Sequence, residues 1–376
     1  MKTNKIYTMV YPLFDTIPDH RVTGRCTYPL GELLTISLLT YLCGGEDYVD
    51  MSMFAHTRAR DFGLLSECGE DSPSPDTFER LMSSVSPDEI ERCLVEHGRT
   101  FLASLGEKQV IIDGKKLRGT KPRSRGTKGD YIMNAYVSEN HIMVGQIPLE
   151  DKENEITAIP RLLEKLDIED SVVSIDAIGT QTAIAQDILD RKAHYFLAVK
   201  DNQGSLHESV TDAFRYGKVS DESCEMEAGH GRIEVRRCRI AEAGQMWDRE
   251  VLARWPGLRT LVEVTSEVTD KGTGDAATTV RHYISDEDFP RAAYYAMLAR
   301  GHWGIENQLH WHLDVTFSED ASRARKGYAA QNLSMIRKIA LQTVKAHNDK
   351  RSIRKRLFQA ALSQKYLKEL VGDIVF

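Results

Sequence analysis

The sequence predicts an α/β protein with helices on the faces of a mixed β-sheet, and three observations lead to this prediction. Short apolar runs rich in valine and isoleucine, at residues 108–113 and 171–176, have the length and composition of buried strands. Segments with helical periodicity alternate with such runs, giving the order β-ββ-α-β-α-β up to residue 200. β-type segments separated by Gly and Asp turns follow, before helical patterns return near residue 289.

Composition bounds the class of protein. The chain has 376 residues, of which 41% are hydrophobic and 28% charged, so it is neither disordered nor collagen-like and is long enough for two to three domains. The longest apolar stretch, residues 33–43, is too short to span a membrane, and the N-terminus lacks a signal-peptide pattern. The six cysteines contain no C-x-x-C pair, which favours reduced thiols. We therefore expect a cytoplasmic protein without a membrane partner.

Charge is distributed unevenly along the chain. The net charge is −7, yet residues 115–128 hold seven basic residues and no acid, and residues 323–356 hold eleven basic residues and one acid. Residues 46–91 are strongly acidic. Because salt screens charges beyond about 8 Å, a polyanion responds to local basic surfaces rather than to the net charge. Each basic run alone is also consistent with a solvated surface.

Four parts are predicted along the chain. Residues 1–105 form a helical N-terminal domain that is a candidate for DNA binding, and Ser86 and Pro87 begin one of its helices with a capping-box pattern. Residues 106–205 and 286–346 form the sheet-containing core, and residues 206–285 form a β-rich antiparallel insertion. Residues 347–376 form a basic helical tail.

Two aspartates follow apolar strands in the predicted core. Asp113 and Asp176 come directly after these runs, where a buried carboxylate is costly unless a cation compensates it. Two such acids on neighbouring strands are typical of a divalent-metal site, and their hard oxygen ligands suit Mg²⁺ or Mn²⁺. The alternative for Asp113 is a turn, because Asp-Gly is a common turn sequence.

A later helical segment supplies a candidate third acid, Glu306. His302, Glu306, His310 and Asp314 follow one another at steps of four, each of which over-rotates by about 40°, so the set spirals around a regular helix. An adjacent stripe contains Trp303, Asn307 and Trp311. Simple packing is one alternative. A zinc site of His302, Glu306 and His310 is another, although the H-E-x-x-H pattern is absent.

The motifs IIDGKKLRG, SIDAIGTQ, LAVKDNQG, HGRIEVR and RGHWGIENQLHWHLDVTFSED occur in this order, with DKENEITAIP ahead of the first crossover helix. Together they resemble the DDE transposases of bacterial insertion sequences, and more narrowly the H-repeat-associated (Rhs-element-associated, ISAs-type) transposase group. The resemblance runs from the N-terminal helices to about residue 344. It implies an RNase H-like core in which Asp113, Asp176 and Glu306 are the catalytic and metal-binding acids.

The resemblance also implies two Mg²⁺ or Mn²⁺ ions held by these acids. Two ions about 4 Å apart can clamp a scissile phosphate, so no serine or tyrosine nucleophile is required. The implied partners are double-stranded DNA, as the terminal inverted repeats of the element and its target, and a second copy of the chain in a homodimer. The implied location is the bacterial nucleoid.

Basic and polar residues near the acids are candidate DNA contacts, since phosphates are bound mostly by such side chains. These candidates are Lys115, Lys116, Arg118, Lys121, Arg123, Arg125, Lys200, Asn202, Gln203, Arg232 and Arg236. The predicted supporting residues are His302, Trp303, Asn307, His310 and Asp314. Two other functions stay open at this stage: an inactive or domesticated DNA-binding protein derived from a transposase, and a His/Glu zinc hydrolase.

Overall fold

One mixed β-sheet organises the structure. The computed structural model describes residues 13–22, 24, 26–102, 105–120, 129–150, 153–229 and 231–372. In this part of the chain the sheet has nine strands in the order β3-β2-β1-β4-β5-β9-β8-β7-β6. The strands are β1 Gln109–Lys116, β2 Tyr131–Val137, β3 Ile142–Pro148, β4 Val172–Ile175, β5 His194–Val199, β6 Asp221–Gly229, β7 Arg232–Glu242, β8 Thr260–Asp270 and β9 Ala276–Ser285.

The strands that carry the first two acids lie next to each other. β1 pairs in parallel with β4, with Ile112 opposite Ile175, so the residues that follow these positions emerge at the same edge of the sheet. β5 continues the sheet in parallel with β4, whereas β2 and β3, the two consecutive strands of the predicted β-ββ-α-β-α-β order, form an antiparallel hairpin. The predicted α/β class with a mixed sheet is therefore confirmed.

The β-rich insertion extends the same sheet rather than folding apart from it. β9 pairs antiparallel with β5, placing Phe196 opposite Ser285, and β8, β7 and β6 follow outward. β6 was not predicted, because DESCEMEAG has no apolar alternation and most of its residues are exposed. Its strand conformation comes from pairing with β7, since strand formation depends strongly on the neighbouring strand.

Helices cover the two faces of the sheet unequally. Val110 and Ile112 point to the face that packs against the helices following β3, β4, β5 and β7. Those helices are α5 Glu155–Leu163, α6 Thr182–Asp190, α7 Gly204–Tyr216 and α8 Arg249–Arg254. Because side chains alternate along a strand, Ile111, Asp113 and Lys115 point to the opposite face. On that face lie α9 Ala292–Ile305 and α10 Ala329–Ala346, and Ile111 shares a hydrophobic cluster with α10.

The helices of the first hundred residues pack into this second face. They are α1 Leu30–Leu42, α2 Tyr48–Arg58, α3 Pro75–Ser84 and α4 Pro87–Arg99. Together with Ile111, Leu309 and most of α10 they form one hydrophobic cluster, which also includes the last two helices, α11 Ile353–Leu362 and α12 Gln364–Gly372. The boundary predicted near residue 105 therefore does not separate two cores. No helix in the described ranges is long and apolar enough to cross a bilayer.

The local sequence patterns of the N-terminal region predict its helix starts correctly but not their capping hydrogen bonds. The helix predicted at Ser86 begins there with Pro87 in its first turn, but the Ser86 side chain makes no capping hydrogen bond, so the predicted capping box is wrong. α2 has the side-chain cap instead, because Asp47 accepts hydrogen bonds from the backbone N–H groups of Val49 and Asp50. The basic run at residues 323–356 is also less exposed than predicted, since Arg337 and Lys338 are each only 1% exposed.

Candidate active site

Asp113, Asp176 and Glu306 line one cavity of about 660 Å³. Asp113 lies within β1 and Asp176 directly follows the adjacent parallel strand β4, so strand pairing brings these two together. Glu306 directly follows α9, which crosses the face of the sheet to which Asp113 points. Three acids from distant parts of the sequence therefore face the same space.

The Asp113 carboxylate is in an environment that disfavours its charge. Burial raises its pKa to about 7, and the negative charges of Glu155 and Glu306 contribute to this rise. His310 Nδ1 lies 3.5 Å from Asp113 Oδ2. Burial lowers the pKa of His310 to about 3, so this imidazole is neutral and does not compensate the carboxylate. A cation bound in the cavity would relieve this electrostatic cost.

Asp176 is in the opposite situation. Burial alone would raise its pKa, but the backbone N–H of Ala177 and the ammonium of Lys200 outweigh this effect and lower it. Lys200 Nζ lies 3.0 Å from Asp176 Oδ1, and both side chains are partly exposed. Asp176 is thus kept charged, with one oxygen already engaged by a cation.

Asn202 and Gln203 each donate a hydrogen bond to the loop after β4. Asn202 Nδ2 donates to the Ala177 carbonyl at 2.7 Å, and Gln203 Nε2 donates to the Thr180 carbonyl at 2.8 Å. These bonds give both amides a role inside the protein, and their role as DNA contacts stays a prediction. The sequence interpretation did not consider that consecutive polar residues after one strand can hold the loop after its neighbour.

The segment that begins with Glu306 is not a regular α-helix. Residues Glu306–His310 and His312–Thr316 are π-helical, a rare conformation that is frequent at functional sites. His310 reaches Asp113 and Asp314 reaches Lys115, so a step of four residues on the helix matches a step of two on β1. Two of the four residues of the predicted spiral, His310 and Asp314, therefore contact β1.

The chemistry of the donor set fits a divalent cation. Carboxylate oxygens are the ligands that Mg²⁺ and Mn²⁺ prefer, and Asp113, Asp176 and Glu306 would hold such ions. Among the described residues no group of three or more His, Cys, Asp or Glu side chains is already spaced to hold an ion. Glu306, which is exposed at the junction of α9 and the π-helical segment, is the acid with most freedom to adjust.

The two histidines of the alternative zinc site have separate roles. His302 is 8% exposed, and its Nδ1 lies 2.8 Å from Ser174 Oγ on β4. Burial lowers the pKa of His302 to about 4, so it is a neutral, hydrogen-bonded residue of the interior. His310 faces Asp113, and its Nε2 is buried without a hydrogen-bond partner in the described structure. This arrangement does not favour a zinc hydrolase.

Sequence reasoning missed two residues near the acids: Arg281, which lines the same cavity, and Glu155, whose charge acts on Asp113. The Arg281 guanidinium lies 3.2 Å from the ring centroid of Trp303, and both residues line the cavity together with Asn307. Glu155, which affects Asp113, accepts a hydrogen bond from the Tyr131 hydroxyl. Glu155 lies in the DKENEITAIP motif, so that motif was the available signal; nothing in the sequence marked Arg281.

The predicted DNA-contacting cations other than Lys200 differ in their surroundings. Lys116, Arg118 and Arg232 are exposed, although Arg118 lies 3.5 Å from Asp320. Arg236 is held by Glu227 and Glu234 at 2.9 and 2.8 Å, so its charge is already balanced. Lys115 differs most from its prediction, because it is 7% exposed and its ammonium contacts Asp314 and Glu319. Three further candidates lie outside the described residues: Lys121, Arg123 and Arg125.

The mixed sheet with its RNase H-like core and the three acids at one cavity define a DDE-type transposase. Comparison with protein families agrees: residues 104–342 match the model described as "Transposase DDE domain", and residues 12–97 match the model described as "DDE_Tnp_1-associated". The chain belongs to the DDE transposase family.

Two relatives are similar to this chain over nearly its whole length. "Putative transposase YncI" of Escherichia coli O157:H7 is 33% identical over 364 residues, covering 95% of this chain and 93% of that protein. "H repeat-associated putative transposase YhhI" of Escherichia coli K12 is 31% identical over 366 residues, covering 95% of this chain and 96% of that protein. The narrower resemblance to the H-repeat-associated group is thereby confirmed.

Proposed function

We propose that this transposase cleaves DNA at the ends of an insertion sequence and transfers those ends to target DNA, using two Mg²⁺ or Mn²⁺ ions held by Asp113, Asp176 and Glu306. The observation that carries this proposal is the meeting of the three acids at one cavity, where burial and the neighbouring acids disfavour the charge of Asp113. When bound, such ions would polarise the scissile phosphate and activate the attacking hydroxyl.

The residues around the acids supply orientation. Lys200 holds one oxygen of Asp176, and the amides of Asn202 and Gln203 hold the loop that carries it. Tyr131 fixes Glu155 beside Asp113. Exposed Lys116, Arg118 and Arg232 are the described cations that we propose as phosphate contacts, since their side chains reach solvent. With DNA as substrate, the proposed place of action is the nucleoid in the cytoplasm.

Removal of divalent cations tests the reaction. Full-length protein treated with a chelator is expected to leave intact a duplex spanning both boundaries of the element, and added Mg²⁺ or Mn²⁺ is expected to restore strand cleavage. Denaturing gels of end-labelled DNA measure the nicks. Zn²⁺ serves as the matched control, because the structure does not favour a zinc site. Cleavage that persists in chelator, or stoichiometric zinc in active protein, would contradict the proposal.

We also propose that the protein acts as a homodimer on DNA, because both ends of the element must be held for joint transfer. The protein is mixed with a short duplex that carries a single end of the element, and the mass of the complex is measured by sedimentation. We expect a complex of two protein chains and two such duplexes. A strict monomer on end DNA at all protein concentrations would count against this part of the proposal, while leaving the cleavage chemistry intact.

A further inference from the structure

We propose that Lys115 is a positioning residue whose buried ammonium fixes β1 against the segment following Glu306, and thereby sets the affinity of the three-acid site for divalent cations. The inference rests on the proposed metal-dependent function. It assigns Lys115 a role different from the surface DNA contact that its place in a basic run suggested.

The contacts of Lys115 are those of a structural cation. Its side chain is 7% exposed, and its Nζ contacts Asp314 and lies 3.0 Å from Glu319 Oε2. The Glu319 side chain is 1% exposed. Burial opposes the charge of Glu319, yet the surrounding cations, Lys115 foremost, outweigh burial and lower its pKa. Since charges this deeply buried need close partners, the three side chains hold one another in place.

The cluster continues to the strand beside Asp113. Lys338 of α10 lies near Glu319, and its Nζ donates to Asn134 Oδ1 at 2.6 Å and to the Gln146 side chain. Asn134 is the β2 residue opposite Asp113 in the sheet. Strand β1, its neighbours and the segment after Glu306 therefore meet in one buried polar cluster next to the acids.

Lys115 connects the strand that carries Asp113 with the segment that begins at Glu306. It lies two residues after Asp113 on the same face of β1, whereas its partner Asp314 lies eight residues after Glu306 in the π-helical segment. The ion pairs thus tie the far end of this segment to β1, while Glu306 at the near end is exposed. Loosening the far end leaves Glu306 without a fixed distance to Asp113.

Stability alone does not explain an ionic cluster here. Apolar residues of similar size can often replace a buried ion pair without loss of stability, whereas removing one partner leaves a costly unpaired charge. A purely structural role would therefore be fulfilled equally well when the charges of Lys115 and Glu319 are removed together. A positioning role would not, because the geometry that the charges impose would be lost.

The test compares Mn²⁺ binding and thermal unfolding in the full chain without DNA. Lys115→Met, and Lys115→Met combined with Glu319→Gln, are titrated with Mn²⁺ and followed by electron paramagnetic resonance. We expect both variants to bind Mn²⁺ about tenfold more weakly, as for changes in groups that orient metal ligands. The double variant is expected to melt at a higher temperature than Lys115→Met alone, because it leaves no unpaired charge at position 319. Lys192→Met is the matched control, since Lys192 pairs with Glu169 at 2.7 Å on the surface.

Wild-type Mn²⁺ affinity in the double variant would overturn the inference. Should that variant not fold, Asp314→Asn decides, because Asp314 is 32% exposed and its loss leaves the Lys115–Glu319 pair in place. An affinity reduced about tenfold supports the positioning role, and an unchanged affinity overturns it. Asp113→Asn in the same titration separates the two proposals: Mn²⁺ binding unaffected by this change, or absent from the wild type, defeats the proposed function itself.

Discussion

Replacing Asp113 with asparagine is expected to lower strand cleavage by a factor on the order of 10³ while DNA binding persists, because a metal ligand contributes several kcal/mol at the reacting phosphate. The amide keeps the shape of the carboxylate but removes its negative charge. Loss of an acid beside DNA does not weaken phosphate binding. Single-turnover cleavage of end-labelled DNA and a gel mobility shift measure the two properties separately.

Asp190→Asn is the matched control for this change. Asp190 is exposed at the end of α6, away from the cavity, so the same chemical substitution there is expected to leave cleavage unchanged. Cleavage at the wild-type rate by Asp113→Asn would contradict the assignment. A wild-type protein that binds end DNA but never nicks it with Mg²⁺ or Mn²⁺ would instead indicate an inactive DNA-binding derivative.

The same variant has an expected pH signature in metal-free protein. Burial and the nearby acids raise the pKa of Asp113 to about 7, whereas an aspartate in an unfolded chain has a pKa of about 4. Between about pH 4 and pH 7, Asp113 loses its proton in the unfolded chain but keeps it in the folded protein. The contribution of Asp113 to the free energy of unfolding therefore falls as pH rises and becomes constant above about pH 7.

The melting-temperature advantage of Asp113→Asn over the wild type should therefore grow across this pH range in chelator. A difference in melting temperature between Asp113→Asn and the wild type that does not change with pH would contradict the raised pKa of Asp113.

Truncating Phe317 to alanine is expected to lower the free energy of unfolding by about 3–5 kcal/mol, the usual cost of removing a buried aromatic side chain. Phe317 is 1% exposed and directly follows the π-helical segment. Its ring meets Tyr41 of α1 edge to face, with centroids 6.4 Å apart. Because this contact lies in the cluster shared by the N-terminal helices and α10, we expect one unfolding transition, shifted as a whole. Denaturant unfolding followed by circular dichroism measures the change.

Phe358→Ala provides the comparison for Phe317. Phe358 is 66% exposed on α11, so its truncation is expected to change the free energy of unfolding by no more than about 0.5 kcal/mol. Two separate transitions in the wild type, only one of which moves in Phe317→Ala, would show that the N-terminal helices fold independently of the sheet. That result would contradict the shared core.

Local patterns in the sequence were sufficient for the elements that carry the acids. Valine- and isoleucine-rich runs ending in aspartate predicted β1 and β4, and their parallel pairing brings Asp113 and Asp176 to the same edge. The hairpin of β2 and β3 and the β-type segments of β7, β8 and β9 were predicted for the same reason, because apolar periodicity is a property of neighbouring residues. The motifs around Glu306 predicted the third acid, which lines the same cavity.

What a side chain contacts was decided only by the tertiary structure. Lys115 stands in a basic run, yet its side chain is buried and its partner Asp314 is 199 residues away in the chain. Asn202 and Gln203 likewise hold a neighbouring loop. The π-helical turns after Ile305 align His310 and Asp314 with β1, against the regular helical spacing. The burial of a side chain and the partner it contacts depend on which distant segments pack together. The pattern of neighbouring residues in the sequence does not contain that information.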